Sequence, residues 1–310
     1  MPKLIYIVGP SGAGKSTIAM KIATQMKEEV VLLSSDAIRG EIYGDENCQR
    51  DPGRVFDIMH QRTVAALSQG ISVIYDATNL SCKRRMNFLK SIARIDCRKE
   101  CVVVVATPED IEERMKLRDR KVPMEVVHKQ ICQFQCPNYY EGWDSITVQY
   151  NSENLSCQAS YRQLWRECDI PHDNPHHTLT VKEHMNKAAD IAEGFAWKDS
   201  ELDLMHERWI ARIHDIGKAR TKSFTDRNGN PTEIAHYIGH QNYSAYYSLI
   251  FDGADFDIPE KESLDNACLI QWHMEHYLRK GSALDKFYKM IGPKLEKRLH
   301  VLEEADRAAH

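Results

Sequence analysis

Two groups of residues in this 310-residue chain have the types and spacing to do chemistry. The first is "GPSGAGKST", Gly9 to Thr17, which fits the pattern G-x-x-x-x-G-K-[ST] between a strand-like run and an apolar-periodic helix. Glycines let backbone N–H groups curl around phosphates at a helix N-terminus, Lys15 balances β/γ charge and Ser16 can ligate Mg²⁺. The nucleotide set read from it is Gly9, Ser11, Gly12, Gly14, Lys15, Ser16 and Thr17, for ATP or another nucleoside triphosphate. The second group is histidine-rich, for 12 of the 14 histidines follow residue 150. There "RIHDIGK" sets His214 and Asp215 before Gly217 and Lys218, His176, His177 and His184 precede it, and His236, His240, His273, His276 and Asp306 follow. Imidazoles mixed with carboxylates suit Mn²⁺, Fe²⁺, Co²⁺, Ni²⁺ or Zn²⁺, and the lack of paired cysteines argues against a structural zinc finger.

Several further residues read two ways. Asp36 in "LLSSDAIRG" stands where a P-loop kinase holds a base beside the transferring phosphoryl group, and it is equally a helix N-cap. Asp76, closing "VIYDATNL", stands like a carboxylate that supports Mg²⁺ through water, while Thr78 and Asn79 fit capping. Arg114 and Arg118 share one helix face before Pro123 and could close on ATP phosphates, or belong to a salt-bridged surface helix with Glu109, Asp110, Glu112 and Glu113. Gly217 and Lys218 also read as ordinary helix C-capping.

These residues need elements to hold them. Runs at "KLIYIVG", "VVLLS", "ISVIYD", "CVVVVA" and "ITVQY" alternate with helix-length segments, which implies a parallel sheet with helices on both faces. After Tyr150 strand signals stop; "NSENLSCQAS" is polar and turn-rich, and from Thr180 the spacing is helical, interrupted by the loop "SFTDRNGNPTEIAHYIGH". The expected organisation is an α/β domain over 1–150, a linker over 151–170 and an all-α domain over 171–310.

Composition narrows the class. No apolar run reaches the roughly 20 residues of a membrane span, and "MPKLIYIVG" leads straight into the glycine loop without a signal peptide, so a cytoplasmic location is expected. None of the nine cysteines lies in a C-x-x-C pair, and they read as reduced packing groups. A net charge of −4 argues against a surface devoted to non-specific nucleic-acid binding, although "CKRRMNFLK" and "ERMKLRDRKV" concentrate positive charge.

Taken together, "GPSGAGKS", "SSDAIRG", "YDATNL", "ERMKLRDRKVP" and "CPNYYEGWDSI" resemble the kinase module of the polynucleotide kinases of phage and bacterial end-healing systems. The resemblance implies Lys15 and Ser16 on ATP and Mg²⁺, Asp36 as general base toward a 5′-hydroxyl, Arg39 on the acceptor phosphate and Arg114 and Arg118 as lid arginines. From residue 171, the order of "NPHHTLTVKEH", "IHDIGK" and the later histidines resembles the HD metal-dependent phosphohydrolase superfamily. It implies His184, His214, Asp215 and Asp306 as primary ligands, His240 and His273 at a second metal position, and Lys218 on substrate phosphate. No D-x-D-x-T motif of an aspartate-nucleophile phosphatase follows residue 150. The implied function is nucleic-acid end healing: 5′-hydroxyl phosphorylation together with removal of a 3′-phosphate or 2′,3′-cyclic phosphate. Its partners would be RNA or DNA ends, such as cleaved tRNA, and a separate ligase. The alternatives are a metabolite or nucleoside kinase fused to a nucleotide hydrolase, and a nucleotide-gated binding module. His177 and His236 have no assigned role, His206 and His276 read as helix-surface residues, and His172, His300 and His310 carry no signal.

Overall fold

Continuous apolar strands such as "CVVVV" must be covered on both faces, and the helices between them do so. The computed structural model describes residues 1–117, 122–175, 178–255 and 258–310. It divides into two compact units, one comprising 1–130 with 137–152 and the other 131–136 with 153–310.

In the first unit the elements run β1 (Lys3–Val8), α1 (Lys15–Gln25), β2 (Val30–Ser34), α2 (Ser35–Tyr43), α3 (Pro52–Ser68), β3 (Ser72–Asp76), α4 (Cys82–Ser91), β4 (Arg98–Val105), α5 (Pro108–Lys116), α6 (Met124–Cys132) and β5 (Ser145–Tyr150). All pairings are parallel and the strand order is β2-β3-β1-β4-β5. The chain leaves β1 to one side for β2, then crosses past β1 from β3 to β4, so a crevice opens at the carboxyl ends of the central strands. The glycine loop follows β1 there, and Asp76 is the last residue of β3.

One buried ion pair braces that end of the sheet. Arg85 of α4 meets Glu141 in a bidentate pair at 2.7 and 2.6 Å, donates to the carbonyls of Asn79 and Leu80 at 3.0 Å each, and Glu141 also accepts from Trp143 Nε1 at 3.0 Å. Both charges are buried, so their hydrogen bonds to backbone and indole replace the water they lose.

The second unit is mainly helical: α7 (Asn154–Glu167), α8 (Val181–Ala196), α9 (Leu204–Ile213), α10 (Lys218–Thr221), β6 (Lys222–Thr225), β7 (Pro231–Tyr237), α11 (His240–Asp255), α12 (Glu260–Trp272), α13 (Glu275–Leu278), α14 (Ser282–Ile291) and α15 (Pro293–Ala308). Two expectations change. The stretch 151–170, expected as a linker, carries α7, because Cys157, Ser160 and Leu164 place a narrow buried stripe within a polar sequence. The interrupting loop is an antiparallel hairpin of β6 and β7, so the region is not all-α. Thr180 and Glu183 form a reciprocal capping box that starts α8, and buried Ala188, Ala189, Ala192 and Ala196 admit close neighbours. Among the described residues no helix is long and apolar enough to cross a membrane.

Asp252 on α11 accepts from Trp209 Nε1 of α9 at 2.8 Å and from Asn266 Nδ2 of α12 at 3.2 Å. Burial pushes its carboxyl up to about 7 despite those bonds. With the folded value above the unfolded one, its stabilising contribution is full below about pH 4 and lost as pH rises through about 7. Between about pH 5 and 8, urea unfolding should therefore lose roughly 2–3 kcal/mol that Asp252→Asn does not lose. Superimposable pH slopes for the two proteins would exclude this linkage.

Candidate functional site

A cleft of about 290 Å³ in the first unit is lined by Ser11, Gly12, Gly14, Lys15, Ser16, Asp36, Arg39 and Asp76, and further out by Gln49, Pro52, Phe56 and Arg84. Gly14 has φ +98°, and a Cβ there would stand 2.0 Å from Asn151 Nδ2. Glycine is needed at this turn for both reasons. Asn151 donates that amide to the Ala13 carbonyl at 2.7 Å, and Gln130 Oε1 accepts from the Ser11 amide at 2.7 Å, so side chains distant in sequence hold the loop open. Lys15 Nζ donates to the Pro10 carbonyl at 2.9 Å. Ser16 Oγ donates to Asp76 Oδ2 at 2.7 Å, which puts the hydroxyl and carboxylate together as one hard-cation pair. Burial pushes the Asp76 carboxyl up, opposed by the Ser16 hydrogen bond and the Lys15 charge.

Asp36 lies in the first turn of α2 and accepts from Arg39 Nη1 at 2.6 Å, and no side-chain capping bond is made by the N-cap Ser34. Its carboxylate is thus half-exposed in the cleft with a guanidinium holding it. Gly9 and Thr17 do not line the cleft: the Gly9 amide donates to the Thr78 carbonyl at 3.0 Å, and Thr17 is exposed on α1. Arg114 does not line it either, donating instead to the Asn151 carbonyl. Arg118 lies outside the described residues, as do His176 and His177.

The second unit brings the other candidates together. Ligand atoms of His184, His214, Asp215 and Asp306 all lie within 4.8 Å of one another, as do those of Asp215, His240 and His273, and all six residues are buried. His184 Nε2 is 3.0 Å from Asp306 Oδ1 and 3.6 Å from Asp215 Oδ2; His214 Nε2 is 3.3 and 3.4 Å from the same atoms. The other Asp215 oxygen, Oδ1, faces His240 Nε2 at 3.2 Å and His273 Nε2 at 3.7 Å. Asp215 therefore stands between two sets of nitrogens.

Ring orientation follows from the backbone. His214 Nδ1 donates to the Ala211 carbonyl at 2.7 Å, His240 Nδ1 to the Tyr237 carbonyl at 2.7 Å and His273 Nδ1 to the Ile270 carbonyl at 2.6 Å. With Nδ1 on a carbonyl, each ring points Nε2 at a carboxylate oxygen, an arrangement that is favourable only with a cation or a proton between them. Neither His240 Nε2 nor Asp215 Oδ1, both buried, has a well-aligned hydrogen bond. This donor set fits one divalent cation and supplies nitrogens for a second.

The electrostatics agree. Burial opposes charge on Asp215, yet Lys218 at 2.5 Å and His214 hold its carboxyl well below the usual range; Asp306 is likewise held low by His184 and His214 against burial. Burial alone would lower His214, but the two carboxylates push it up to about 10, while burial takes His273 down to about 3 and lowers His184. The two carboxylates thus favour positive charge, on His214 in particular, while His184 and His273 are held toward the neutral form.

Gly217 does not end a helix in the left-handed conformation expected of a cap. Its φ is −66°, and a Cβ would stand 2.4 Å from the His240 carbonyl, so glycine is required by the close approach of α11. His172, without a signal in the sequence, is buried beside the cluster: its ring is 5.6 Å from that of His184 and its Nε2 3.4 Å from Lys218 Nζ. Burial and Lys218 lower it to about 4. His276, expected on a helix surface, is half-buried, its Nδ1 lying 3.3 Å from buried Glu303. His236, Tyr237 and Tyr277 line a cavity that opens on Asp215, Lys218 and His240. Side chains such as Asn151, Gln130 and His172 belong to no local motif, and only burial and distance identify them.

The parallel sheet, its strand order and the phosphate loop define the class of the first unit as a P-loop phosphotransferase of kinase type. Residues 4–137 match the profile of a family described as an AAA domain. Shikimate kinases of Legionella pneumophila, strains Corby and Lens among them, are 28% identical over an alignment of 137 positions that covers 38% of this chain and 77% of theirs. Among solved structures, one from the Pnkp1/Rnl/Hen1 RNA repair complex is 23% identical with a TM-score of 0.39, the match covering 43% of this chain and 43% of that one. A gluconokinase from Sinorhizobium meliloti 1021 is 17% identical with a TM-score of 0.35, covering 53% of this chain and 93% of that one.

Two measurements test the site. Gly14→Ala forces a strained turn and an overlap with Asn151, a cost of about 1–3 kcal/mol for the strain alone, and should weaken binding of a fluorescent ATP analogue correspondingly; wild-type affinity would show that the loop does not hold the nucleotide. In Mn²⁺ titrations by calorimetry, Asp215→Ala should lose affinity by more than about 100-fold, whereas His240→Ala should lose only the weaker equivalent. Identical isotherms for wild type and Asp215→Ala would count against the cluster as a metal centre.

Proposed function

We propose that the protein heals nucleic-acid ends, RNA ends in particular: the first unit transfers phosphate from ATP to a 5′-hydroxyl, and the second, an HD-type phosphohydrolase, removes a 3′-phosphate or 2′,3′-cyclic phosphate. The observation that carries the reading is the presence in one chain of a phosphoryl-transfer cleft and a buried His/Asp cluster whose imidazoles are oriented by backbone carbonyls. Both sites serve phosphate esters, and their two reactions are complementary, converting the ends left by RNA cleavage into those a ligase joins. A separate ligase is accordingly the proposed partner.

In the kinase cleft Lys15 neutralises the β/γ-phosphates and the Ser16–Asp76 pair holds Mg²⁺. Asp36 accepts the proton of the attacking hydroxyl, with Arg39 fixing its carboxylate and available to the acceptor's phosphate. Phe56 and Arg84 extend the same cleft, offering an aromatic face and a cation of the kind a terminal nucleotide uses. Arg114 and Arg118 remain proposed lid residues.

In the second unit His184, His214, Asp215 and Asp306 hold the primary metal, and His240 and His273 share Asp215 with a second position. A divalent transition metal bound by these residues would supply Lewis acidity toward a phosphate ester and lower the pKa of a bound water. Lys218, buried at the cavity floor, gives a cation to the substrate phosphate beside Asp215.

A second reading has its own support, the 28% identity to shikimate kinases over 77% of their length, which favours a small hydroxylated acceptor for the kinase. An RNA with 5′-hydroxyl and 2′,3′-cyclic phosphate ends, incubated with labelled ATP and Mg²⁺, Mn²⁺, Ni²⁺ or Co²⁺, separates the two. Label should enter the 5′ end and the 3′ end should be opened; Asp36→Asn should cut the first by about 10²–10⁴-fold and His214→Ala should abolish only the second. Transfer to shikimate, sugars or nucleosides in place of the oligonucleotide would overturn the end-healing reading.

A further inference from the structure

The cavity above the His/Asp cluster has a volume of about 440 Å³, within the roughly 300–1,000 Å³ of small-ligand pockets and far more than a phosphate group needs. Its surroundings are of two kinds. Toward the cluster lie Lys218 and the carboxylates; toward the mouth lie Ile238, Tyr277 and Leu278, which are 44, 48 and 58% exposed. Large apolar side chains left in water around a charged floor are a poor wall for a sugar phosphate and a good one for the flat face of a heterocycle.

The wall is also held in place. The Tyr277 ring lies 3.8 Å, centroid to centroid, from the ring of His276, whose Nδ1 is 3.3 Å from Glu303 on α15. Glu303 is fixed in turn by Tyr288 Oη at 3.2 Å and His300 Nδ1 at 3.1 Å. Opposite, the hairpin is tied down by Ala235 N donating to the Asp173 carbonyl at 2.9 Å and Tyr237 Oη to the His172 carbonyl at 2.5 Å. At its turn Asp226 accepts from the Asn228 and Asn230 amides at 2.8 Å each, presenting Arg227 to the cavity.

From this arrangement we infer that Tyr277 is a specificity-determining residue: it stacks the nucleobase of the terminal nucleotide while the phosphate ester lies toward Lys218 and the cluster. Resting on the hydrolase reading above, the inference adds that the pocket reads the base side of its substrate and discriminates against base-free phosphate esters. Stacking of a base on one aromatic ring is sequence-tolerant, which suits an enzyme that must accept any terminal nucleotide.

Full-length protein loaded with Mn²⁺ is assayed for hydrolysis of uridine 3′-phosphate and of ribose 3-phosphate, the same ester without its base. Wild type should favour the nucleotide in kcat/KM by about 10- to 100-fold; Tyr277→Ala should lose most of that preference, chiefly through KM for the nucleotide, and Tyr277→Phe should keep it. Equal preference in wild type, an unaltered ratio in Tyr277→Ala, or equal loss in Phe and Ala overturns the inference while leaving the hydrolase reading intact. Hydrolysis of neither ester, nor of uridine 2′,3′-cyclic phosphate, with Mn²⁺, Ni²⁺, Co²⁺ or Mg²⁺ overturns the hydrolase reading. Equilibrium dialysis of the same two compounds then decides the inference: a Tyr277→Ala loss of about 10-fold or more for the nucleotide alone supports it, and no difference sinks it.

Discussion

Buried lone pairs facing buried carboxylates impose the main constraint on the second unit. The last carbonyls of a helix have no partner within it, and His214 and His273, each placed just after its helix, use Nδ1 to satisfy a carbonyl three residues back. That bond leaves Nε2 facing Asp215 or Asp306, and only positive charge between the groups makes the arrangement favourable. The rest of the unit serves this requirement: α8 brings His184, the turn after α9 brings Asp215, α11 opens on His240 and α15 closes with Asp306. Gly217 allows α11 to approach closely enough for His240 to belong.

The first unit solves a related problem with backbone rather than side chains. Phosphates need many donors in a small space, and the glycine turn supplies them only if it stays open. Asn151 and Gln130, from the far end of the unit's sequence, hold it by taking the Ala13 carbonyl and the Ser11 amide. The Arg85–Glu141 pair anchors the carbonyls of Asn79 and Leu80 just beyond Asp76, so the carboxylate that holds Ser16 sits on a braced strand end.

Elements with strong local signals were legible in the sequence. The five strands are apolar runs that only a sheet covered on both faces buries, and the phosphate loop is a contiguous motif between strand and helix. α7 was not legible, because three buried residues among polar ones make too faint a stripe, and the hairpin was hidden by its polar, turn-forming residues. Histidine roles divided the same way: those that fit an ordered ligand pattern could be grouped, while His172 is buried against Lys218 and His276 half-buried against Glu303, contacts that no spacing announces.

The sequence by itself determined the chemistry available, namely the loop residues that cradle phosphate, the order of imidazoles and carboxylates and the parallel sheet, since each depends on residue type and short-range spacing. Tertiary structure alone decided which atoms meet across the chain: Asp215 between two sets of nitrogens, Arg114 on the Asn151 carbonyl, and Tyr277 at the mouth of the cavity above the His/Asp cluster. Other such meetings span most of the chain, 122 positions for His184 and Asp306 and 138 for Asn151 and Ala13. Distances of that kind follow from how helices pack, which no local pattern encodes.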